Sequence, residues 1–544
     1  MLTRIILAIA LAVILGVPFA LSLGSGGTHN IPDDAPRIII VTPHVQQIQE
    51  EYATGFNAWH IRQFGGPIAI DYRSPGGTSD IIKQLKAQFF AALNDGLYAV
   101  EQADDGGVQI NMEPGAVSFD LFFGGGSYDH SQTAKGVSFS LPADRSPSGE
   151  KADVLVSMSA SAGFSQARID EWYGENLIGS QRIYDEDQLW LGTALSSFGI
   201  VYNTDVYEEK LGLPLPTGFE DLTMPELRGW VALADPRQSG SITTTFDSIL
   251  GNHGWTDGWA ILRAMCGNTR YFTASSTKPP TDVSQGDAAA GLAIDFYGRG
   301  QAQTAGRGRV GYVEPAGAVY VDADPVTLLN GAPNPELAKR FIEYCLTEEA
   351  QALWQFHSVA TEEGAGNPVN PATGEPMGPV HYELRRMPVR RVMYEKYWSS
   401  LMDQVNPFEI ASQVKNPGWR TGVQVMMGCF AIDSADECRR AWDALCDAEA
   451  DPDFSPEVAE RMREMFFAWP ETPVDAAGGF DADSPVKRVP WTEETYGEVR
   501  DSWRPPGAQS RAEIYYTIWF RAQYRQIETM RTTGAILAPA GAGS

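Results

Sequence analysis

From Arg37 onward, short apolar runs alternate with polar turns and with stretches whose apolar residues recur at helical spacing. Residues 37–42 read as a buried strand that breaks at Pro43 and His44, and residues 45–64 place Ile48, Tyr52, Phe56 and Trp59 on one helical face. The unit then repeats: a strand over 68–72, a glycine turn over 74–79, and a helix over 80–93 capped by Thr78 or Ser79. A polar stretch, 94–113, leads to a third strand at 117–123 that ends in the glycine-rich turn 124–131. Strands separated by helices imply right-handed crossovers and a mostly parallel sheet, with the three turns along one edge. That edge is where open α/β sheets bind ligands.

A second unit follows a surface excursion at 138–152 and apolar segments at 153–158 and 192–203. The pattern predicts a strand at 231–234, helices at 245–253 and 257–267, a short strand at 269–272, and another strand at 291–297. Strands at 310–315 and 319–322 then run back toward helices at 335–347 and 349–356. The last third is less regular. A Pro- and Gly-rich stretch, 361–379, precedes the basic amphipathic run YELRRMPVRRVMYEKYW at 382–398, which reads as a surface helix packed on the body. Helices are expected at 434–450, 455–469 and 511–532, with Tyr515, Trp519 and Tyr524 as a core stripe.

The region ahead of Arg37 changes where the protein must work. Met1 to Arg4 gives a short positive start, residues 5–23 are almost wholly apolar, and a Gly/Ser/Thr linker spans 24–30. Since roughly 20 apolar residues cross a bilayer, the leader fits a cleaved signal peptide or a retained membrane anchor. Ala20 and Ser22 suit a cleavage site, and no Cys follows to carry a lipid. Either reading exports the remainder.

Length and charge narrow the class. At 544 residues the chain can bury two cores, and its net charge of −28 argues against nucleic acid and anionic lipid as partners. Five cysteines in an exported chain allow disulfides, the odd number leaving a free thiol or an intermolecular bond, and no CxxC pair suggests a zinc ribbon.

Seven segments in order carry a resemblance: RIIIVTPH (37–44), SPGGTSD (74–80), DLFFGGGS (120–127), FGIVYNTDV (198–206), WVALADPRQSGSITTTF (230–246), GLAIDFYG (291–298) and NPELAKRFIEYCLTEEAQALW (334–354). Their order and spacing over 37–356 resemble the exported solute-binding proteins of ABC importers, in the branch that includes ferric-iron binders. The resemblance implies an α/β, two-lobed periplasmic binding protein of type II-like fold, hinged between the lobes. Lobe 1 is expected from 31–155 with part of 310–360, and lobe 2 with its hinge crossovers from 196–330. Residues 361–544 would be a mostly helical C-terminal extension packed on the lobes. The implied role is capture of a small solute in the periplasm or outside the cell, and delivery to an ABC permease in the membrane.

Several residues then become cleft candidates. Gly76 and Gly77 with Thr78 and Ser79, and Gly125 and Gly126 with Ser127, combine backbone approach, hydroxyl donors and helix N-termini suited to an anion or carbonyl. Thr244 and Thr245 would meet the ligand from the opposite side, and His44 ends the first strand. In the iron branch a pair of tyrosines usually follows the strand AIDF; here the pair is Phe296 and Tyr297. A metal reading therefore rests on His44 and Tyr297, completed by a bound anion, Asp129 or Asp295, with ferric iron as transported ligand rather than cofactor. Tyr297 and Tyr128 would otherwise wall an organic cation or a phosphonate. The chain contains no GxSxG, HExxH or P-loop motif, so no catalytic role is assigned. A membrane-anchored sensor or scaffold, and an exported hydrolase using Tyr297 or His44, are the competing classes.

Overall fold

The computed structural model describes residues 32, 34–102, 107–306, 308–315, 317–415 and 417–537, so the leader and its choice between signal peptide and anchor lie outside the described residues. Strand β1 (Arg37–Val41) is followed by α1 (Gln46–Phe64), whose Ile48, Tyr52, Phe56 and Trp59 are buried as one stripe and whose end is set by Gly65 in the left-handed region. Next come β2 (Ala69–Arg73) and α2 (Thr78–Asn94). The polar stretch after α2 folds into an antiparallel ribbon, β3 (Tyr98–Gln102) with β4 (Val108–Met112). Its alternation is faint in the sequence because only Tyr98, Ile110 and Met112 are buried. Strand β5 (Leu121–Phe123) and α3 (Ser127–Lys135) complete the first motif. The excursion at 138–152 is in turn largely a second ribbon, β6 (Val137–Leu141) with β7 (Ala152–Val156), followed by α4 (Gln166–Tyr173).

Strand β8 (Leu191–Asn203) carries the chain out of this unit. The second unit contains β9 (Val231–Ala234), α5 (Gly240–Gly267, broken at Gly254), β10 (Thr269–Thr273), α6 (Lys278–Gln285), β11 (Ala290–Ile294), α7 (Asp295–Ala305) and β12 (Val310–Val313). Strand β13 (Val321–Leu328) returns, followed by α8 (Pro335–Cys345) and α9 (Glu348–Gln355). One sheet runs through both units in the order β10-β9-β11-β8-β13-β5-β1-β2. Parallel pairing holds for β1 with β2 and β5, and for β9 with β10 and β11; β8, β12 and β13 are antiparallel to their partners. The sheet is therefore mixed rather than mostly parallel, because β8 and β13 serve as connections between two halves.

Each half buries its own core. Ile38, Ile40, Tyr52, Phe56, Leu121, Phe341 and Trp354 form one; Leu233, Phe246, Trp259 and Leu292 belong to the other. The C-terminal region joins both. Residues 382–398 are not one surface helix: Pro388 prevents it, β14 (Met387–Pro388) pairs with β8, and only α10 (Arg391–Lys396) is helical. Leu384, Met387, Val389 and Ala411 pack into the first core. Beyond Arg420, α11 (Arg420–Met427), α12 (Ala435–Ala450), α13 (Pro456–Phe467), α14 (Tyr496–Ser502) and α15 (Ala508–Thr533) pack into the second, with Met426, Phe430, Leu445, Met462, Phe520 and Ile527 buried there. Between Ala411, in the first core, and Arg420, on the second, the described residues 412–415 and 417–419 thus mark a third passage between the halves, after β8 and β13. All five cysteines are buried and free, so the disulfides that the sequence left open are not formed. Among the described residues no helix is long and apolar enough to cross a membrane.

Candidate functional site

A cavity of about 630 Å³ lies where the two halves face each other. One wall is made by Pro43 and His44 after β1, residues 76–79 at the start of α2, and Gly125, Gly126, Tyr128 and Asp129 around the start of α3. The other is made by residues 237–241 and Thr244 at the start of α5, residues 275–277 before α6, and Ile294, Phe296 and Tyr297 at the start of α7. Ser196, Phe198, Asp322 and Asp324 contribute from β8 and β13, and Arg386 from just before β14. Five helix N-termini therefore border one space. Helices α2 and α3 begin at Gly77 and Gly126 without a side-chain cap. Orphan N–H groups and the helix dipoles make such ends favourable for negative charge.

Two glycines set the first wall. Gly124 and Gly125 have φ of +94° and +107°, where a side chain would be strained, and a Cβ would strike the His44 imidazole at one and the Thr78 methyl at the other. The His44 ring stands edge-on to Phe123 at 4.5 Å. Its Nε2 lies 3.2 Å from Asp324 Oδ1 and 3.2 Å from Arg386 Nη1. Burial above all, and then the Arg386 charge, push the imidazole well below its usual pKa, so it is neutral at pH 7. Nε2 thus faces an acceptor and a donor at the same distance, while Nδ1 is buried and has no partner among the described residues.

Arg386 pairs with Asp324 and lies 4.0 Å over the Phe296 ring. Burial lowers it to about 10, which leaves it charged at neutral pH. Asp322 accepts from the Ser127 amide at 3.1 Å through Oδ2, while Oδ1 has no partner among the described residues; burial raises this carboxyl to about 6. Burial also raises Asp129, against the pull of Arg420 and Thr78. Ser196 Oγ and Arg386 Nε are likewise buried and unpartnered. Buried polar groups normally find partners, so their accumulation around one cavity points to a ligand.

Of the residues singled out in the sequence, His44, Gly76, Gly77, Thr78, Ser79, Gly125, Gly126, Thr244 and Tyr297 line this cavity together. Two do not. The Ser127 amide is held by Asp322, and the Thr245 hydroxyl donates to Ser241 O at 3.1 Å within α5. Tyr297 sits in the first turn of α7, because β11 stops at Ile294, short of the expected strand end; burial raises its phenol above the usual value. Asp295 does not line the cavity: Oδ1 accepts from the Phe296 amide, and burial pushes the carboxyl to about 7. Sequence reasoning missed Ser196, Arg237, Asp322, Asp324 and Arg386. The one available signal was Pro388 inside a basic run, which argues against a surface helix there.

Two α/β halves connected by crossing strands around a polar cleft define the two-lobed periplasmic binding protein fold. Residues 149–373, a little over two-fifths of the chain, match the model of the family of bacterial extracellular solute-binding proteins. An uncharacterized protein of Haemophilus influenzae is 25% identical over 189 residues, 35% of this chain and 52% of that protein. The phosphoglycerate transport regulatory protein PgtC of Salmonella typhimurium is 26% identical over 163 residues, 30% of this chain and 40% of PgtC. The chain thus spans about half or less of the curated relatives it matches. Among solved structures, the periplasmic binding protein AfuA of Actinobacillus pleuropneumoniae, with fructose-6-phosphate bound, is 15% identical at a TM-score of 0.43, over 72% of this chain and 97% of AfuA. Iron-bound HitA of Pseudomonas aeruginosa is 13% identical at a TM-score of 0.46, over 72% and 98%.

Proposed function

We propose that this protein captures, outside the cytoplasm, a small organic solute with an anionic group at one end and hydroxyl or amine donors at the other, and hands it to an ABC permease. The observation that carries this reading is the meeting of five helix N-termini and Arg386 with the free carboxylate oxygen of Asp322 in one cavity. The helix ends and the guanidinium suit a phosphate, phosphonate or carboxylate, and Asp322 and Asp129 suit donors on the same molecule. A solute touching both walls stabilises the closed arrangement of the lobes. The name of PgtC, a protein of phosphoglycerate transport, accords with an organic phosphate.

Ferric iron has less support. Among the described residues no three His, Cys, Asp or Glu side chains are placed to hold a metal. Arg386 puts a positive charge 3.2 Å from His44, and the phenol of Tyr297 is made harder to ionise by burial. Calorimetric titration of the purified chain with 3-phosphoglycerate, inorganic phosphate, a phosphonate, and ferric iron with carbonate tests the choice. Binding of a phosphorylated or phosphonate solute that is lost in Arg386→Met supports the reading. Ferric iron binding that is lost in Tyr297→Phe, with no organic anion bound, overturns it.

A second reading, a solute sensor, is favoured by the regulatory role in the name of PgtC. It differs in its partner: a sensor would bind the solute and leave permease-driven uptake unchanged when the gene is deleted.

A further inference from the structure

The C-terminal region reaches the cleft a second time. Arg420 opens α11, directly after the third passage between the lobes. Asp247 of α5 accepts from the Gly418 and Trp419 amides at 3.1 and 2.8 Å, which pins the backbone before Arg420 to the second lobe. From there the guanidinium donates through Nη2 to Gly240 O at 3.1 Å and through Nη1 to Thr244 Oγ1, both at the start of α5. Its other face lies 4.2 Å from the centre of the Tyr128 ring, on α3 of the first lobe. Asp129, beside Tyr128, supplies opposite charge close enough to be shifted by Arg420. One side chain, outside the stretch matched by the family, therefore bridges two cleft walls that belong to different lobes.

We propose that Arg420 is a latch that draws Tyr128 and Asp129 of the first lobe onto α5 of the second before any solute arrives, and so sets the affinity of the cleft. The consequence for affinity rests on the solute-binding reading above; the latch itself is a property of the solute-free chain. A solute that binds the closed form gains apparent affinity in proportion to how much of the protein is already closed. The fork of Arg is needed, because one ammonium cannot serve Gly240 O and Thr244 Oγ1 while covering the Tyr128 ring.

The test uses the full chain without solute, comparing wild type with Arg420→Ala, Arg420→Lys and Thr244→Val by small-angle scattering and amide hydrogen exchange. The expected result is a larger radius of gyration and faster exchange over 125–130 and 239–245 in Arg420→Ala, smaller changes of the same sign in Arg420→Lys and Thr244→Val, and an unchanged unfolding temperature. Any solute bound by wild type should bind about tenfold more weakly to Arg420→Ala, the scale of one charge-assisted hydrogen bond. Unchanged scattering and exchange in Arg420→Ala overturn the latch. So does expansion in Arg420→Ala that comes only with a collapse in unfolding temperature while Thr244→Val behaves as wild type. Failure of every solute to bind would sink the solute reading and leave these solute-free readouts to decide the latch alone.

Discussion

Replacing Arg386 by methionine keeps most of the side-chain length and removes the charge that faces Asp324. Both residues are about 5% exposed or less (5% and 4%), so the variant leaves a buried carboxylate with only His44 for a partner. Breaking a buried ion pair from one side costs about 3–5 kcal/mol. With about 2–4 °C of melting temperature per kcal/mol in a body of 150–250 residues, the first lobe should melt roughly 6–20 °C lower at pH 8. The pH dependence has a definite sign. In the wild type His44 is held well below its usual pKa, so its burial costs stability as pH falls through the unfolded value of about 6.5. Without Arg386 the lesser cause of that depression is gone and Asp324 favours the imidazolium, so His44 is depressed less than in the wild type and costs less stability as pH falls. The deficit of Arg386→Met should accordingly shrink between pH 8 and pH 5. Scanning calorimetry across that range measures it, and Asp324→Asn added to Arg386→Met should restore much of the loss by removing the stranded charge. A melting temperature at pH 8 within about 2 °C of wild type, less than 1 kcal/mol on the same scale, would refute the reasoning.

Gly124→Ala should destabilise the first lobe by at least about 1–3 kcal/mol, since φ is +94° and the new Cβ strikes His44; denaturant melts check it, with His44 NMR shifts reporting the displaced ring. Asp247, raised to about 6 by burial, favours the fold when protonated, so its contribution is present below about pH 4 and lost as pH rises through 6, by about 3 kcal/mol at most. Asp247→Asn should flatten that limb of the stability-versus-pH curve measured by calorimetry. Glu51 is buried and accepts from the Val380, His381 and Tyr382 amides at 2.6, 2.6 and 2.9 Å; Glu51→Gln should cost about 1–3 kcal/mol for each amide it orphans and speed hydrogen exchange over 380–382.

The strand, turn and helix rhythm made the first wall of the cleft legible, because β1, α1, α2 and β5 are built from contiguous segments whose apolar spacing matches their burial. Residues 76–79 and 125–126 could be picked out because a glycine-rich turn between strand and helix has few other uses. The second wall was half legible: Thr244 lines the cavity, yet Thr245 does not, since side chains one residue apart on a helix point about 100° apart; both hydroxyls donate to the carbonyl four residues earlier. Arg386 and Asp324 were hidden for a different reason. They are 62 positions apart and acquire meaning only when β14 and β13 flank the same strand, β8, a pairing that no local pattern encodes. The ribbons β3-β4 and β6-β7 escaped notice because their polar faces outnumber their buried residues.

Two lobes joined by a pair of adjacent strands can both bend about the hinge line and twist across it, as a leaf does on a narrow stem. The third passage, described over 412–415 and 417–419, changes that mechanics. It is tied at one end where the Ser412 amide donates to Val319 O at 2.8 Å and at the other where Asp247 holds Gly418 and Trp419. A strap anchored on both bodies away from the paired strands resists torsion while leaving bending free. We expect any opening of the lobes to be reduced thereby toward a single degree of freedom, so that each closure would return the same residues to the same register across the cleft.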